Sequence, residues 1–126
     1  MIAVSTIRVS FPEPDIAMLT FDMPDKAVNI LTSAVMDELA DRLSELEQRD
    51  DLAGLVLNSG KPDSFIAGAD IREFAASLDV DNTAIVAMCE RGQTLFRRLS
   101  QAPFVTVAAI DGVCVGGAAE LAIWCD

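Results

Sequence analysis

The chain has 126 residues, 52% of them apolar and 23% charged, with a formal net charge of −11 and a pI near 4.2. That length supports one ordinary core. The acidic balance argues against a surface for nucleic acid or anionic lipid, both of which need clustered Lys and Arg. Histidine is absent, which removes Ser-His and Cys-His nucleophilic machinery and the usual histidine-ligated zinc, so no metal site is expected and acid–base chemistry falls to carboxylates.

In chain order, Met1 to Ser10 lacks a basic region followed by an apolar stretch, so no signal peptide is expected. Ile2–Phe11 alternates imperfectly and predicts a strand. Pro12, Pro14 and Asp15 supply a turn into a second strand, Ile16–Phe21, completing a hairpin. Met23–Asn29 is a loop opened by Pro24. Thr32 or Ser33 caps a helix ending near Arg49, whose apolar stripe is Val35, Leu39, Leu43 and Leu46. Leu52–Leu57 predicts a buried strand and Ser59–Ser64 a turn-rich loop. Asp70 opens a short helix. Its D-x-x-E spacing to Glu73 has the form of a capping box, with Glu73 reaching back to the Asp70 amide.

Asp81 or Asn82 starts a helix to about Ser100, with Ile85, Met88, Leu95 and Leu99 on one side, and Pro103 marks its stop. Phe104–Ile110 predicts a continuous apolar strand. Asp111-Gly112 turns the chain into Val113–Val115, and Gly116 and Gly117 open an apolar helix running toward the terminus. The order is α/β, and inner strands that are apolar without alternation predict a sheet covered on both faces. Phe104–Trp124 contains Asp111, Glu120 and three glycines, which fits a buried strand and helix better than a membrane span. The last helix has neither glycine cap nor basic last turn, which predicts that residues 1–126 are the N-terminal portion of a single domain, with no second domain. Cys89, Cys114 and Cys125 show no metal or redox spacing, so they predict free thiols with core roles in a reducing cytoplasm.

The segment Val113-Cys-Val-Gly-Gly-Ala-Ala-Glu-Leu121 carries the most chemistry. A strand enters two glycines and leaves as a helix whose first amides lack intrahelical acceptors and sit at the positive end of the helix dipole. Glycine at 116 and 117 allows close approach of a ligand to that backbone. Glu120, three residues after Gly117, lies on the same face, so one amide donor and one carboxylate converge. That suits a carbonyl becoming an oxyanion beside a proton acceptor. It equally describes a tight strand-to-helix turn with an acid near the helix start. In Ser64-Phe-Ile-Ala-Gly-Ala-Asp-Ile71, Gly68 permits an unusual backbone angle, Asp70 caps a helix, and the Ala69 amide lies just outside that cap. Alone, this segment is only a well-capped loop. Lys61 and Arg72 are candidates for a ligand's phosphates or for plain surface solvation.

Taken together, F-I-A-G-A-D-I and, some forty residues on, P-x-V-x-V-A-A-I-D-G-V-x-V-G-G-x-x-E-L resemble the crotonase (enoyl-CoA hydratase/isomerase) family, most closely the hydratase part of multifunctional fatty-acid oxidation proteins. Lys26-Ala-Val-Asn-Ile30 resembles that family's coenzyme A loop. The resemblance implies a crotonase-like fold of ββα spiral units, truncated before its C-terminal part. It implies an oxyanion hole from the amides of Ala69 and Gly117, and Glu120 as the first of two catalytic glutamates, the second lying beyond Asp126. Lys26, Ala27, Val28, Ala67, Gly68, Asp70 and Gly116 fall in the segments that contact the acyl-CoA thioester. No separate cofactor is expected, because coenzyme A is part of the substrate, and the family implies a homo-oligomer, a trimer or hexamer. The implied activity is hydration of trans-2-enoyl-CoA. Alternatives are isomerisation or a non-catalytic fragment that binds coenzyme A or oligomerises, and a fragment lacking the second glutamate is expected to be inactive alone. Ala118 and Trp124 depart from the family's usual glycine and small residue.

Overall fold

The computed structural model describes residues 4–79 and 81–126. Strands Ile7–Glu13 (β1) and Ile16–Phe21 (β2) pair antiparallel, with Ile7 opposite Phe21. β1 starts later than the alternation predicts and runs through Pro12. Ile2 and Ala3 lie outside the described residues, and residues 4–6 join no strand. Helix α1, Ser33–Glu47, claims them: its Glu38 carboxylate accepts from the amides of Thr6 and Ile7 and from the Ser5 hydroxyl. Pro12 is tolerated because β1 is an edge strand whose register shifts between Ser10 and Glu13.

Three successive ββα units follow from the element order: β1, β2 and α1; then Gly54–Ser59 (β3), Ser64–Ile66 (β4), Ile71–Leu78 (α2) and Asn82–Ser100 (α3); then Val105–Ala108 (β5), Val113–Cys114 (β6) and Gly117–Ile123 (α4). β3 lies parallel to β2, and β5 parallel to β3, giving a four-stranded sheet in the order β1-β2-β3-β5. β4 and β6 pair in parallel as a separate two-stranded sheet. α1 buries Val35, Leu39, Leu43 and Leu46, the predicted stripe, and Thr32 Oγ1 accepts from the Val35 amide at 3.1 Å. Each such leucine contributes about 1.5–3 kcal/mol on burial. They join one core with Leu19, Phe21, Leu55, Leu57, Phe65 and Leu121, in which the rings of Phe21 and Phe65 meet edge to face.

Three predicted features differ. β5 is not covered on both faces: Thr106 is buried, but Val105 and Val107 are 57% and 47% exposed, so the strand alternates in environment although not in sequence. α3 buries Leu95, Phe96 and Leu99, whereas Ile85 is half-buried and Met88 exposed, because its first half faces α2, which itself buries no residue. α4 stops at Ile123. Asp126 leaves the helix to bind β5, its carboxylate accepting from the Thr106 amide at 3.0 Å and its own amide donating to the Thr106 carbonyl at 2.9 Å. Among the described residues, no helix is long and apolar enough to cross a membrane.

Candidate active site

The β4–β6 ladder builds the site. Ser64 pairs with Val113 and Ile66 with Cys114, so the chain leaving β4 as Ala67-Gly-Ala-Asp70 runs beside the chain leaving β6 as Val115-Gly-Gly117. Both loops lie at the carboxyl ends of parallel strands, where α/β sheets generally hold ligands. A third segment joins them. Asn29 carbonyl accepts from the Ala67 amide at 2.8 Å, and Leu31 pairs in parallel with Ala69. In that bridge Leu31 donates to the Gly68 carbonyl at 2.8 Å and accepts from the Asp70 amide at 3.4 Å. A parallel bridge made this way uses the groups flanking Ala69 and leaves the Ala69 N–H facing the other way.

Glycine is required where these loops meet. Gly68 has φ +97°, and a Cβ there would stand 3.2 Å from the Val115 carbonyl oxygen. Gly116 has φ +57° and ψ −128° as the cap of α4. Gly117 is helical, and a Cβ on it would lie 4.0 Å from the Ala69 nitrogen. Among the described residues, neither the Ala69 nor the Gly117 amide donates to a protein acceptor. The pairing of the two loops therefore places two uncommitted donors side by side.

α4 is oriented by Ala118 and Leu121, both fully buried. With that edge inward, Gly117 is half-buried at the margin and Glu120, one turn on, is exposed, its amide bonded to the Gly116 carbonyl at 3.1 Å. Ala118, which stands where a third glycine is usual, fits because its φ is helical and its methyl is core. Half-buried Trp124 caps α4 and packs against the same core.

Asp70 caps α2, its carboxylate accepting from the Arg72 amide at 2.9 Å. Glu73 does not complete the predicted capping box. The Asp70 amide already points at Leu31, so Glu73 turns outward and accepts from the amide and hydroxyl of Ser33, both at 2.9 Å. A cleft of about 160 Å³ opens beside these groups, lined mainly by apolar atoms of Leu31, Met36, Ala69, Phe74 and Met88. Cys89 also lines it and is exposed, so it has no core role. Cys114 and Cys125 are half-buried, and burial raises both thiols above their ordinary pKa, the opposite of nucleophile activation.

Of the residues in the coenzyme A loop, Lys26 and Ala27 are exposed and Val28 half-buried. Among the described residues Lys26 makes no salt bridge. Lys61 is committed elsewhere: its ammonium pairs with Asp22 at 2.9 Å and donates to the Met23 carbonyl at 2.7 Å, with 13% of the side chain exposed. Arg72 is mostly exposed, near Asp70. Sequence reasoning missed the role of Asn29. It is 1% exposed, and its amide nitrogen reaches the carbonyls of Phe21 and Phe65 and the Ser59 hydroxyl, while its side-chain oxygen accepts from Met23. One side chain thus ties the ends of β2, β3 and β4 to the 22–30 loop. The available signal was a lone amide inside the apolar run Val28–Leu31.

The family model described as enoyl-CoA hydratase/isomerase matches residues 13–126. The chain is 45% identical over 115 residues to the fatty acid oxidation complex subunit alpha of Aliivibrio fischeri, and 40% identical over 123 residues to that of Vibrio cholerae, covering 90% and 97% of this chain. It spans 16% and 17% of the length of those relatives. Among solved structures it is similar to a putative enoyl-CoA hydratase from Streptomyces coelicolor, at 31% identity and a TM-score of 0.83, covering 97% of this chain and 44% of that one. The expected α/β, crotonase-like fold therefore stands, over about half the length of its structural neighbours, and the chain belongs to the enoyl-CoA hydratase/isomerase family.

Proposed function

We propose that the protein carrying this chain binds the thioester of a trans-2-enoyl-CoA with its carbonyl oxygen between the amides of Ala69 and Gly117, and adds water across the double bond. The observation that carries this reading is the pair of adjacent backbone donors without protein acceptors among the described residues. Negative charge grows on the thioester oxygen as water attacks C3. Fixed amides meet that charge without reorganising, and losing one such donor typically costs about 3 kcal/mol of transition-state stabilisation. Glu120, one turn along α4, positions or deprotonates the water. A second carboxylate from another part of the protein exchanges the C2 proton, so the 126 residues alone turn over slowly or not at all.

Lys26 meets a phosphate of coenzyme A from the 22–30 loop, with Ala27, Val28 and Ala67 beside it and Gly68, Asp70 and Gly116 shaping the thioester's seat. No cofactor beyond the substrate takes part. The fatty acid oxidation named in the most similar relatives supports a fatty acyl substrate. Free cysteines support a reducing, cytoplasmic setting, and the exposed valines of β5 support assembly with further copies. The test is steady-state hydration of crotonyl-CoA by the full-length protein. Turnover is expected. Binding of coenzyme A thioesters without any hydration or double-bond migration would overturn the catalytic reading and leave a binding protein.

A further inference from the structure

α2 buries none of its residues, yet it follows directly on the Ala69 amide. Its position therefore cannot come from packing in the ordinary way. Beyond a shallow contact with α3 that buries none of its residues, two hydrogen-bonded attachments hold it, both to the short stretch that enters α1. The first is the backbone bridge between Leu31 and Ala69. The second is Glu73, whose Oε2 accepts from both the amide and the hydroxyl of Ser33 at 2.9 Å. Ser33 is the first residue of α1, so its amide is one of the four that a helix start leaves without an acceptor. A carboxylate there also meets the positive end of the α1 dipole. Thr32 already caps the Val35 amide, and Glu73 supplies an acceptor that α1 does not provide for itself.

We propose that Glu73 is a positioning residue. By clamping the first turn of α2 to the start of α1, it fixes the direction in which the Ala69 N–H points, without touching the reacting atoms. This rests on the proposed oxyanion role of Ala69. α1 is anchored by four buried leucine and valine side chains, so it is the fixed partner and α2 the held one. With Glu73 gone, the Leu31–Ala69 bridge and the shallow contact with α3, which buries no α2 residue, leave α2 able to pivot about Asp70. The donor then points less accurately at the developing oxyanion while the ground-state ligand still binds, so the loss should fall on kcat. Misplacement of a catalytic group on this scale costs about 10- to 100-fold.

Glutamine keeps one acceptor oxygen for Ser33 and removes the charge, so it separates geometry from proton chemistry. In the full-length protein, Glu73→Ala is expected to lower kcat for crotonyl-CoA about tenfold or more with little change in KM, and Glu73→Gln to restore most of that loss. Hydrogen exchange of residues 69–78 should quicken in Glu73→Ala and return toward wild type in Glu73→Gln. Equal, large losses in both variants would make Glu73 a proton-transfer or charge residue and overturn the clamp. Unchanged exchange in Glu73→Ala would overturn it too. The exchange arm needs no turnover, so an inactive wild type would sink the hydratase reading and leave the clamp still testable.

Discussion

Gly68 and Gly116 stand face to face across the site: a Cβ on Gly116 would lie 3.8 Å from the Gly68 Cα, and both residues have positive φ. A Cβ on Gly68 would press on the Val115 carbonyl oxygen at 3.2 Å, whereas at Gly116 there is room for one and it is the positive φ that calls for glycine. The closeness of the two loops, through the β4–β6 ladder, sets the neighbouring amides of Ala69 and Gly117 beside each other.

Gly116→Ala and Gly117→Ala should therefore behave differently. Alanine at φ +57° and ψ −128° is strained by about 1–3 kcal/mol, so Gly116→Ala should lower both the melting temperature and kcat/KM. Gly117 is helical, and a Cβ there makes an ordinary 3.4 Å contact with Leu31. Gly117→Ala should keep wild-type stability, or gain slightly from helix propensity. It should still lose turnover if the proposed oxyanion hole is right, because the methyl stands 4.0 Å from the Ala69 nitrogen, beside the proposed seat of the carbonyl oxygen. Thermal denaturation beside steady-state kinetics separates the two. Equal stability losses would mean that Gly117 is there for folding.

Lys61 joins the 59–64 loop to the base of the 22–30 loop through Asp22 and the Met23 carbonyl. The hydrogen bond from Lys61 holds the Asp22 carboxyl below its ordinary pKa, against burial, with further help from the charges of Lys61 and Arg8. Lys61→Met should cost about 1–3 kcal/mol in urea unfolding. It should leave the salt dependence of coenzyme A binding unaltered, whereas Lys26→Met should flatten it. A flattened salt dependence in Lys61→Met would return Lys61 to the phosphate site.

The sequence was most readable where one signal acted alone. The stripe of α1, the Thr32 cap and the Gly-Gly turn into α4 are each decided within a few residues of chain. Expectations failed where two local options competed and a distant group chose. Glu73 could reach back to the Asp70 amide or out to Ser33, and the Leu31 bridge, forty residues earlier, removed the first option. β5 reads as doubly covered because Val105 and Val107 are apolar, but exposure depends on what packs against them, which hydropathy does not record. Asn29 looked like part of a ligand loop, yet its side chain is spent on four partners inside the protein. The site's chemistry was legible only in outline: spacing indicated which amides lack helical partners, and the β4–β6 pairing that brings them together was not written in either segment.

Glu38 predicts how stability responds to acid. Burial pushes its carboxyl upward, but hydrogen bonds from Ser5, Thr6 and Ile7, with the charge of Arg42, outweigh that and hold it below its ordinary value of 4.5. A carboxyl lower in the folded state than in the unfolded one stabilises the fold above the unfolded value. It loses that contribution as pH falls through the folded one. Denaturant midpoints should thus be insensitive to Glu38 between pH 7 and about 5, and should drop below that range. Glu38→Gln should be less stable at neutral pH and show a shallower decline in acid. Parallel curves for the two proteins would show that Glu38 does not carry the effect.

Glu120→Gln tests the catalytic carboxylate. Glutamine has nearly the same size, and Glu120 is exposed, with no protein partner for its carboxylate among the described residues, so folding should be undisturbed. Hydration needs a group to orient and deprotonate water, and an amide can orient but not accept the proton. In the full-length protein the substitution should lower kcat about 10²- to 10⁴-fold, the usual range for losing a general acid or base, with KM close to wild type. A rise in KM at constant kcat would place Glu120 in ground-state binding instead. Wild-type values of both would make it simply an acid near the start of α4, favourable to the helix dipole and without a part in the chemistry.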